Sequence, residues 1–354
     1  VVGHRGGVHQ WDAGPAAFHR IARHTQRSQR HAVKGVGEAD DALPAGDLAG
    51  QFERRLHRVG SGRAGELHLV VQAAGSQDHL VEPLQELAVS LYFPEELTAG
   101  TVHPIALQTG YISEPGDHAA AGEFPVASTV ESTAFLTGID VAASPESSAI
   151  VTLGDSITDG YGSTTDAYGT WPDALANRLV VAGLPRAVLN EGIGGNRLLS
   201  DPPADFGLAM GEKALARFDR DVLGQAGVEY LIVYMGINDI GMGMFDPSQV
   251  RTSAELITAL NQVIERAHER GITVIGGTIT PYEGADYYSP EGEATRQEVN
   301  AWIRTSGAFD EVVAFDAAVQ DPAQPCLLYT SDAADERLRV DLGGRRINQK
   351  KNTQ

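Results

Sequence analysis

The 354-residue chain carries 47 acidic against 27 basic side chains, a formal net charge of −20, and so acidic a balance argues against nucleic acid or an anionic membrane surface as partner. Its single cysteine, Cys326, leaves no disulfide framework and no cysteine-based metal site, and no run of 18 apolar residues is present to span a membrane. The charge is unevenly placed: residues 1–80 hold ten Lys and Arg against eight Asp and Glu, residues 81–325 hold 11 against 35, and residues 326–354 hold six against four. Shifts of this size mark segments of different origin or role.

Residues 1–75 cluster His, Arg, Gly and Ala, as in His4-Arg-Gly-Gly-Val-His9, without a sustained apolar period. Interleaved acids disfavour a nucleic-acid-binding arm. A disordered linker fits the missing periodicity, and an out-of-frame translation of GC-rich DNA fits the composition better, so this segment is expected to be disordered or non-native. Four β-rich runs follow, Leu87–Phe93, Val102–Ile112, Phe124–Val130 and Ala134–Val141, separated by Gly, Pro and Glu. This is the pattern of an antiparallel sandwich. Only part of one is legible, so residues 80–145 are expected to form a partial accessory domain that leaves an edge unpaired and folds poorly.

The run Ala149-Ile-Val-Thr152 then breaks into Leu153-Gly-Asp-Ser-Ile-Thr-Asp-Gly160. A buried parallel strand that delivers a serine to the carboxyl edge of a sheet reads this way, and open α/β folds keep their chemistry at that edge. Ser156 is the candidate nucleophile; the alternative is that Asp155 and Ser156 merely cap the next helix. A helix is predicted over Tyr168–Ala182, then a strand over Ala187–Asn190 that runs into Glu191-Gly-Ile-Gly-Gly-Asn196. A helix over Met210–Gln225 leads to a strand over Tyr230–Met235, which ends in Gly236-Ile-Asn-Asp239. A helix over Ser248–Arg270, a strand over Thr273–Thr278, a helix over Glu291–Ser306 and a strand over Val312–Asp316 complete the series. Such alternation implies a parallel sheet covered on both faces, with the three polar loops gathered on one edge.

With these residues the chain resembles the SGNH, or GDSL, hydrolase family over roughly residues 145–325. Gly154-Asp155-Ser156 matches the first block of the family, Gly195 the glycine of the second, and Gly236-x-Asn238-Asp239 the third. The resemblance implies an α/β fold, a three-layer doubly wound parallel sheet of flavodoxin type over residues 148–325, and a serine esterase that works through an acyl-enzyme. It also implies that the backbone N–H groups of Ser156 and Gly195 and the side-chain amide of Asn238 hold the oxyanion, where one preorganised donor is worth roughly 2.7–4 kcal/mol. Asp155 and Asp239 read as acceptors that order the loops, and as ordinary turn residues in the alternative. Ile193-Gly-Gly-Asn-Arg197 looks most like the esterases and acylhydrolases associated with polysaccharide breakdown.

A serine hydroxyl needs a base, usually a histidine oriented by a carboxylate, and the family supplies both in a C-terminal Asp-x-x-His block. This chain has none: its last histidine is His268, and Asp335 has Leu338 where the histidine is needed. His268 falls on a helix among Glu265, Arg266, Glu269 and Arg270 and reads as solvated, whereas His103 and His118 lie upstream with no carboxylate at a suggestive spacing. The tail from Cys326 onward looks like translated adapter sequence. The expectation is therefore a gene cut short near Pro325, with the base pair and the last helix lost, one sheet face partly uncovered and activity impaired.

Other readings stay open. A non-catalytic carbohydrate-binding protein or an inactive hydrolase fragment would fit the absent base, and Gly192-Ile-Gly-Gly-Asn-Arg197 as a dinucleotide loop lacks the full G-x-G-x-x-G spacing. No cofactor and no metal are expected. The expected partner is a small-molecule or polysaccharide ester, with the compartment undetermined because no signal-peptide pattern opens the chain. Gly207–Gly211 and Gly241–Asp246 are expected to flank the pocket, with Met242, Met244 and Phe245 either lining an acyl-binding wall or simply packing within the loop, and Trp171 in the core.

Overall fold

The computed structural model describes residues 83–94, 102–141, 143–202, 209–322 and 326, together with the backbone of three earlier strands. Those strands are β1 (Phe18–Arg23), β2 (Leu56–Val59) and β3 (Leu67–Val71), all within the stretch read as lacking regular structure. The rest of that stretch lies outside the described residues. Then come β4 (Leu87–Tyr92), β5 (Val102–His103), β6 (Gly110–Ser113), β7 (Val126–Val130), β8 (Thr133–Ala134) and β9 (Leu136–Val141). They form a four-stranded antiparallel sheet in the order β4-β1-β6-β7, a three-stranded sheet β2-β3-β9 and a β5-β8 pair. One pairing departs from the antiparallel expectation, because β3 runs parallel to β9. A small core of Val89, Leu136 and Ile139 is buried here.

The second half is a five-stranded, wholly parallel sheet built from β10 (Ser148–Gly154), β11 (Arg186–Gly192), β12 (Val228–Tyr234), β13 (Thr273–Gly277) and β14 (Glu311–Val313). Its order, β11-β10-β12-β13-β14, is that of the flavodoxin-like doubly wound sheet, with its switch point beside the first strand. Every residue of β10 is buried, as a strand covered on both faces requires, and its sequence is accordingly apolar-rich without alternation, the Thr152 hydroxyl being satisfied by the Leu189 carbonyl. Gly154 at its end pairs with Gly192 of β11 and with Tyr234 of β12. Three strand ends therefore lie side by side, and the three loops leave the sheet at one edge.

The connecting helices are α1 (Ser156–Asp159), α2 (Trp171–Val181), α3 (Ala214–Phe218), α4 (Ile237–Gly241), α5 (Ser253–His268), α6 (Pro290–Thr305) and α7 (Phe315–Val319). Capping boxes start α2 (Thr170 with Asp173) and α5 (Thr252 with Glu255), each satisfying two N–H groups that the first helical turn leaves free. Leu256, Ala259, Leu260, Val263, Ile264 and Ala267 form the buried stripe of α5 against Val151, Leu153, Leu231 and Val233. Fully burying each large side chain contributes about 1.5–3 kcal/mol. The opposite face is thinner: Ala176 and Leu179 of α2 cover Ile150, Val188 and Ile232, and Val312 and Val313 of β14 remain exposed among the described residues.

Three predicted boundaries are corrected. The helix read over Met210–Gln225 is a short α3 followed by a π-helical turn over Asp219–Leu223. The helix read from Ser248 starts at Ser253, because Pro247–Gln249 forms a separate 3-10 turn. The strand read over Val312–Asp316 ends at Val313; Phe315 and Asp316 open α7, where the Phe315 ring packs on Tyr234 and Trp171. That contact places Trp171 against the smaller core, in keeping with its reading as a core residue.

Candidate active site

At the end of β10 the chain turns through Asp155, whose extended backbone and side-chain acceptance from the Ile157 N–H at 3.0 Å make it the N-cap of α1. Ser156 is the first residue of that helix and is partly exposed. Its own backbone N–H belongs to the first helical turn, where no intrahelical acceptor exists.

The second loop, Gly192–Asn196, closes on the first. The Ile193 N–H donates to the Gly154 carbonyl at 3.2 Å, and the Gly194 N–H donates to Oδ2 of Asp159 at 2.9 Å. Gly195 has φ +73°, a conformation natural to glycine, and a Cβ there would stand 2.8 Å from the Met210 side chain. Asn196 is buried; its amide nitrogen donates to the carbonyls of Met210 and Glu212, both at 2.8 Å. The third loop starts at Gly236 and enters α4, where Asn238 is buried and donates through Nδ2 to the Asn196 carbonyl at 3.0 Å. An amide nitrogen carries two hydrogens, so one remains for a further acceptor. Asp239 accepts from the N–H groups of Leu198 at 2.8 Å and Leu199 at 3.0 Å. Ser156, Gly195 and Asn238 thus sit on three loops, the second bonded to each of the others, while Asp155 caps α1 and Asp239 ties the third loop to Leu198 and Leu199.

Arg217, which the sequence did not single out, fastens the first two loops from beneath. Its guanidinium is 0% exposed and donates to the Gly154 carbonyl, the Glu191 carbonyl, Oδ1 of Asn196 through two nitrogens, and Oδ2 of Asp221, at 2.9–3.2 Å. Met210 was likewise missed. Of the residues read as an acyl wall or as loop packing, Met244 and Phe245 are exposed and Met242 is half-buried; Gly207, of the first flanking loop, lies outside the described residues. Tyr287 of the loop after β13 packs directly against Gly241, with Tyr282 stacked beside it.

Two of the carboxyls are electrostatically strained. Burial pushes Asp155 up to about 7, with the charges of Asp239 and Asp159 adding to the effect. Burial also lifts Asp239 to about 6, against the opposing pull of the Leu198 and Leu199 amides and of Arg197. Because its folded-state pKa is raised, Asp155 contributes stability that is fully present below pH 3.8 and is lost as the pH rises through about 7. Asp155→Asn keeps the helix cap and removes the buried charge, so it is expected to raise stability at pH 8 by on the order of a few kcal/mol, with the gain vanishing near pH 4. Thermal melts of both chains across that range check this; a gain that grows as the pH falls contradicts it.

The histidines are placed clearly. His268 bonds Oδ2 of Asp310 at 2.9 Å, and that same oxygen accepts from the Val274 N–H at the start of β13, so His268 belongs to the amino edge of the sheet, opposite Ser156. His103 has a carboxylate partner that sequence spacing did not reveal: its Nε2 lies 2.9 Å from Oδ1 of Asp159, three residues after Ser156. Asp335 and Leu338 lie outside the described residues. Among the described residues no group of three or more His, Cys, Asp or Glu side chains is arranged to hold a metal ion, and no helix is long and apolar enough to cross a membrane.

A parallel α/β sheet with a serine and amide-bearing loops assembled at its carboxyl edge has the architecture of a hydrolase. The family model described as GDSL-like lipase/acylhydrolase matches residues 152–336, and the chain belongs to that family; by family it is a carboxylic ester hydrolase. No curated protein matches it. Among solved structures it is similar to a lipolytic protein of the G-D-S-L family from Desulfitobacterium hafniense DCB-2, at 21% identity and a TM-score of 0.37, covering 51% of this chain and 84% of that one. AlinE4, an SGNH-hydrolase family esterase, matches at 21% identity and a TM-score of 0.37 over 53% of this chain and 89% of its own. An acetyl xylan esterase variant from Geobacillus stearothermophilus matches at 20% identity and 0.36, over 48% and 78%.

Proposed function

We propose that the chain derives from a serine esterase that hydrolyses acetylated carbohydrate or another short acyl ester, and that it turns over slowly as it stands. The Ser156 hydroxyl attacks the acyl carbon, its proton passes to the departing alcohol, and water then releases the acid from the acyl-serine. The oxyanion is held by the N–H groups of Ser156 and Gly195 and by Nδ2 of Asn238. The observation that carries this reading is the Asn238 amide, fixed by one hydrogen on the Asn196 carbonyl with the second left at the edge where Ser156 emerges. The preference for acetylated carbohydrate rests on the Ile193–Arg197 block.

The proposed slowness concerns residues 1–354 by themselves, in which no Asp-x-x-His block is present. No histidine follows His268 in the chain, and a triad enzyme that loses its base retains roughly 10³–10⁴-fold catalysis over water from the oxyanion hole and binding. Hydrolysis of p-nitrophenyl acetate by this chain is therefore expected to be weak, to fall to the buffer rate in Ser156→Ala, and to rise when a family Asp-x-x-His segment follows residue 325. Equal rates in the chain and in Ser156→Ala would favour the second reading, a non-catalytic carbohydrate-binding protein. Residues 80–145 are proposed as an accessory β domain of this esterase.

A further inference from the structure

His103 sits on the two-residue β5, 56 residues before the carboxylate it meets. Asp159, on α1 with Ser156, is buried, and both its oxygens are engaged: Oδ1 with Nε2 of His103 and Oδ2 with the N–H of Gly194, each at 2.9 Å. Gly194 is joined by one peptide to Gly195, and two consecutive glycines have the widest backbone freedom in the loop. The direction of the Gly195 N–H therefore depends on what anchors its neighbour. That anchor is Asp159, and among the described residues His103 is the side chain that orients Asp159 in turn.

We propose that His103 is a positioning residue for the oxyanion loop, acting through Asp159, and that the β segment is thereby a working part of the esterase site. The inference rests on the esterase reading above. His103 approaches Asp159 through the tip of its ring, so the bond holds the carboxylate in one rotamer and with it the Gly194 amide. The segment is attached to the serine loop by other bonds as well: the Asp166 N–H donates to the Leu107 carbonyl at 3.0 Å, and Thr109 donates to Asp166 through its N–H at 2.8 Å and its hydroxyl at 2.6 Å. Removing the imidazole thus leaves the segment attached and loosens only the carboxylate.

The test compares His103→Ala and His103→Gln with the unaltered chain, in p-nitrophenyl acetate turnover, thermal melting and amide hydrogen exchange over residues 192–196. His103→Ala is expected to lower kcat by roughly tenfold or more, the effect of a slight misplacement of a catalytic donor, with KM within about twofold and with faster exchange in the loop. His103→Gln, whose amide can still donate to Asp159, is expected to restore both. Unchanged exchange in His103→Ala overturns the inference, whatever the turnover shows; so does equal impairment of the Ala and Gln variants. Ser156→Ala run alongside separates the two ideas: if it hydrolyses as fast as the parent, the esterase reading falls, while the exchange data still decide whether His103 positions the loop.

Discussion

Arg217→Met is expected to lower the melting temperature by roughly 10 °C and to abolish ester turnover. All five N–H groups of this guanidinium are used, on Gly154, Glu191, Asn196 and Asp221. Methionine fills much of the space but donates nothing, so the Glu191 carbonyl and the Asn196 amide oxygen lose the bonds Arg217 makes to them, and the Gly154 carbonyl is left with the Ile193 N–H alone. The Asp221 carboxylate keeps only Arg220, beside a Glu191 whose carboxyl burial already pushes up to about 8. Removing one partner of a buried ion pair costs about 3–5 kcal/mol, and a domain of this size loses about 2–4 °C per kcal/mol. Calorimetry checks the first number; a melting point within two degrees of the parent would mean that the loops are fastened elsewhere. Arg217→Lys should recover little, since an ammonium cannot span acceptors that lie around a planar fork.

Gly192→Ala is the second substitution from which a large effect is expected. A methyl at this position would stand 2.2 Å from the Asp159 nitrogen and 2.7 Å from both the Asp159 Cα and the Thr158 carbonyl carbon. All three are backbone atoms, so no side-chain rotation relieves the overlap, and β11 must move away from α1. That motion stretches the Gly194–Asp159 bond and shifts Gly195 relative to Ser156. A displacement of about 1 Å at reacting groups costs up to about a hundredfold in rate, and overpacking costs about 1–3 kcal/mol in stability. The matched control is Gly169→Ala, where a methyl meets nothing within 4 Å and both turnover and melting point should be unchanged. Assaying the pair together separates the specific clash from any general intolerance of alanine for glycine.

How much of this was legible beforehand depended on how local the signal was. β10, β11 and β12 announce themselves as short apolar runs that break into Gly, Asp or Asn, and the polar residues after them had to share an edge once the sheet was parallel. The start of α5 was misread at Ser248, although the capping box Thr252-Ser-Ala-Glu255 marks it; the 3-10 turn over Pro247–Gln249 gives no separate signal in the sequence. Arg217 was not readable, because an arginine between Ala214 and Phe218 on an amphipathic stretch is ordinarily assigned to the solvent side; only the tertiary positions of three distant carbonyls give it a reason to be buried. The His103–Asp159 pair escaped for a related reason. Its partners belong to segments of different rhythm, and nothing near either one in the chain hints at the other. The short α7 was hidden by Val312 and Val313, whose β-branched character carried the strand reading three residues too far.

The way Arg217 ties Gly154, Glu191 and Asn196 together also bears on the order in which the site can be born. A ribosome delivers β10, the serine turn and β11 well before residue 217 emerges, and those two strands can pair at once. Their loops can bond each other through Ile193 and Gly194, but the buried guanidinium that braces both from beneath is missing until α3 has left the exit tunnel. For that interval the nascent chain holds a paired strand edge with its chemistry unassembled, the period in which a growing polypeptide is most exposed to misassociation. The nucleophile is thus synthesised some sixty residues before the arginine that braces its loop.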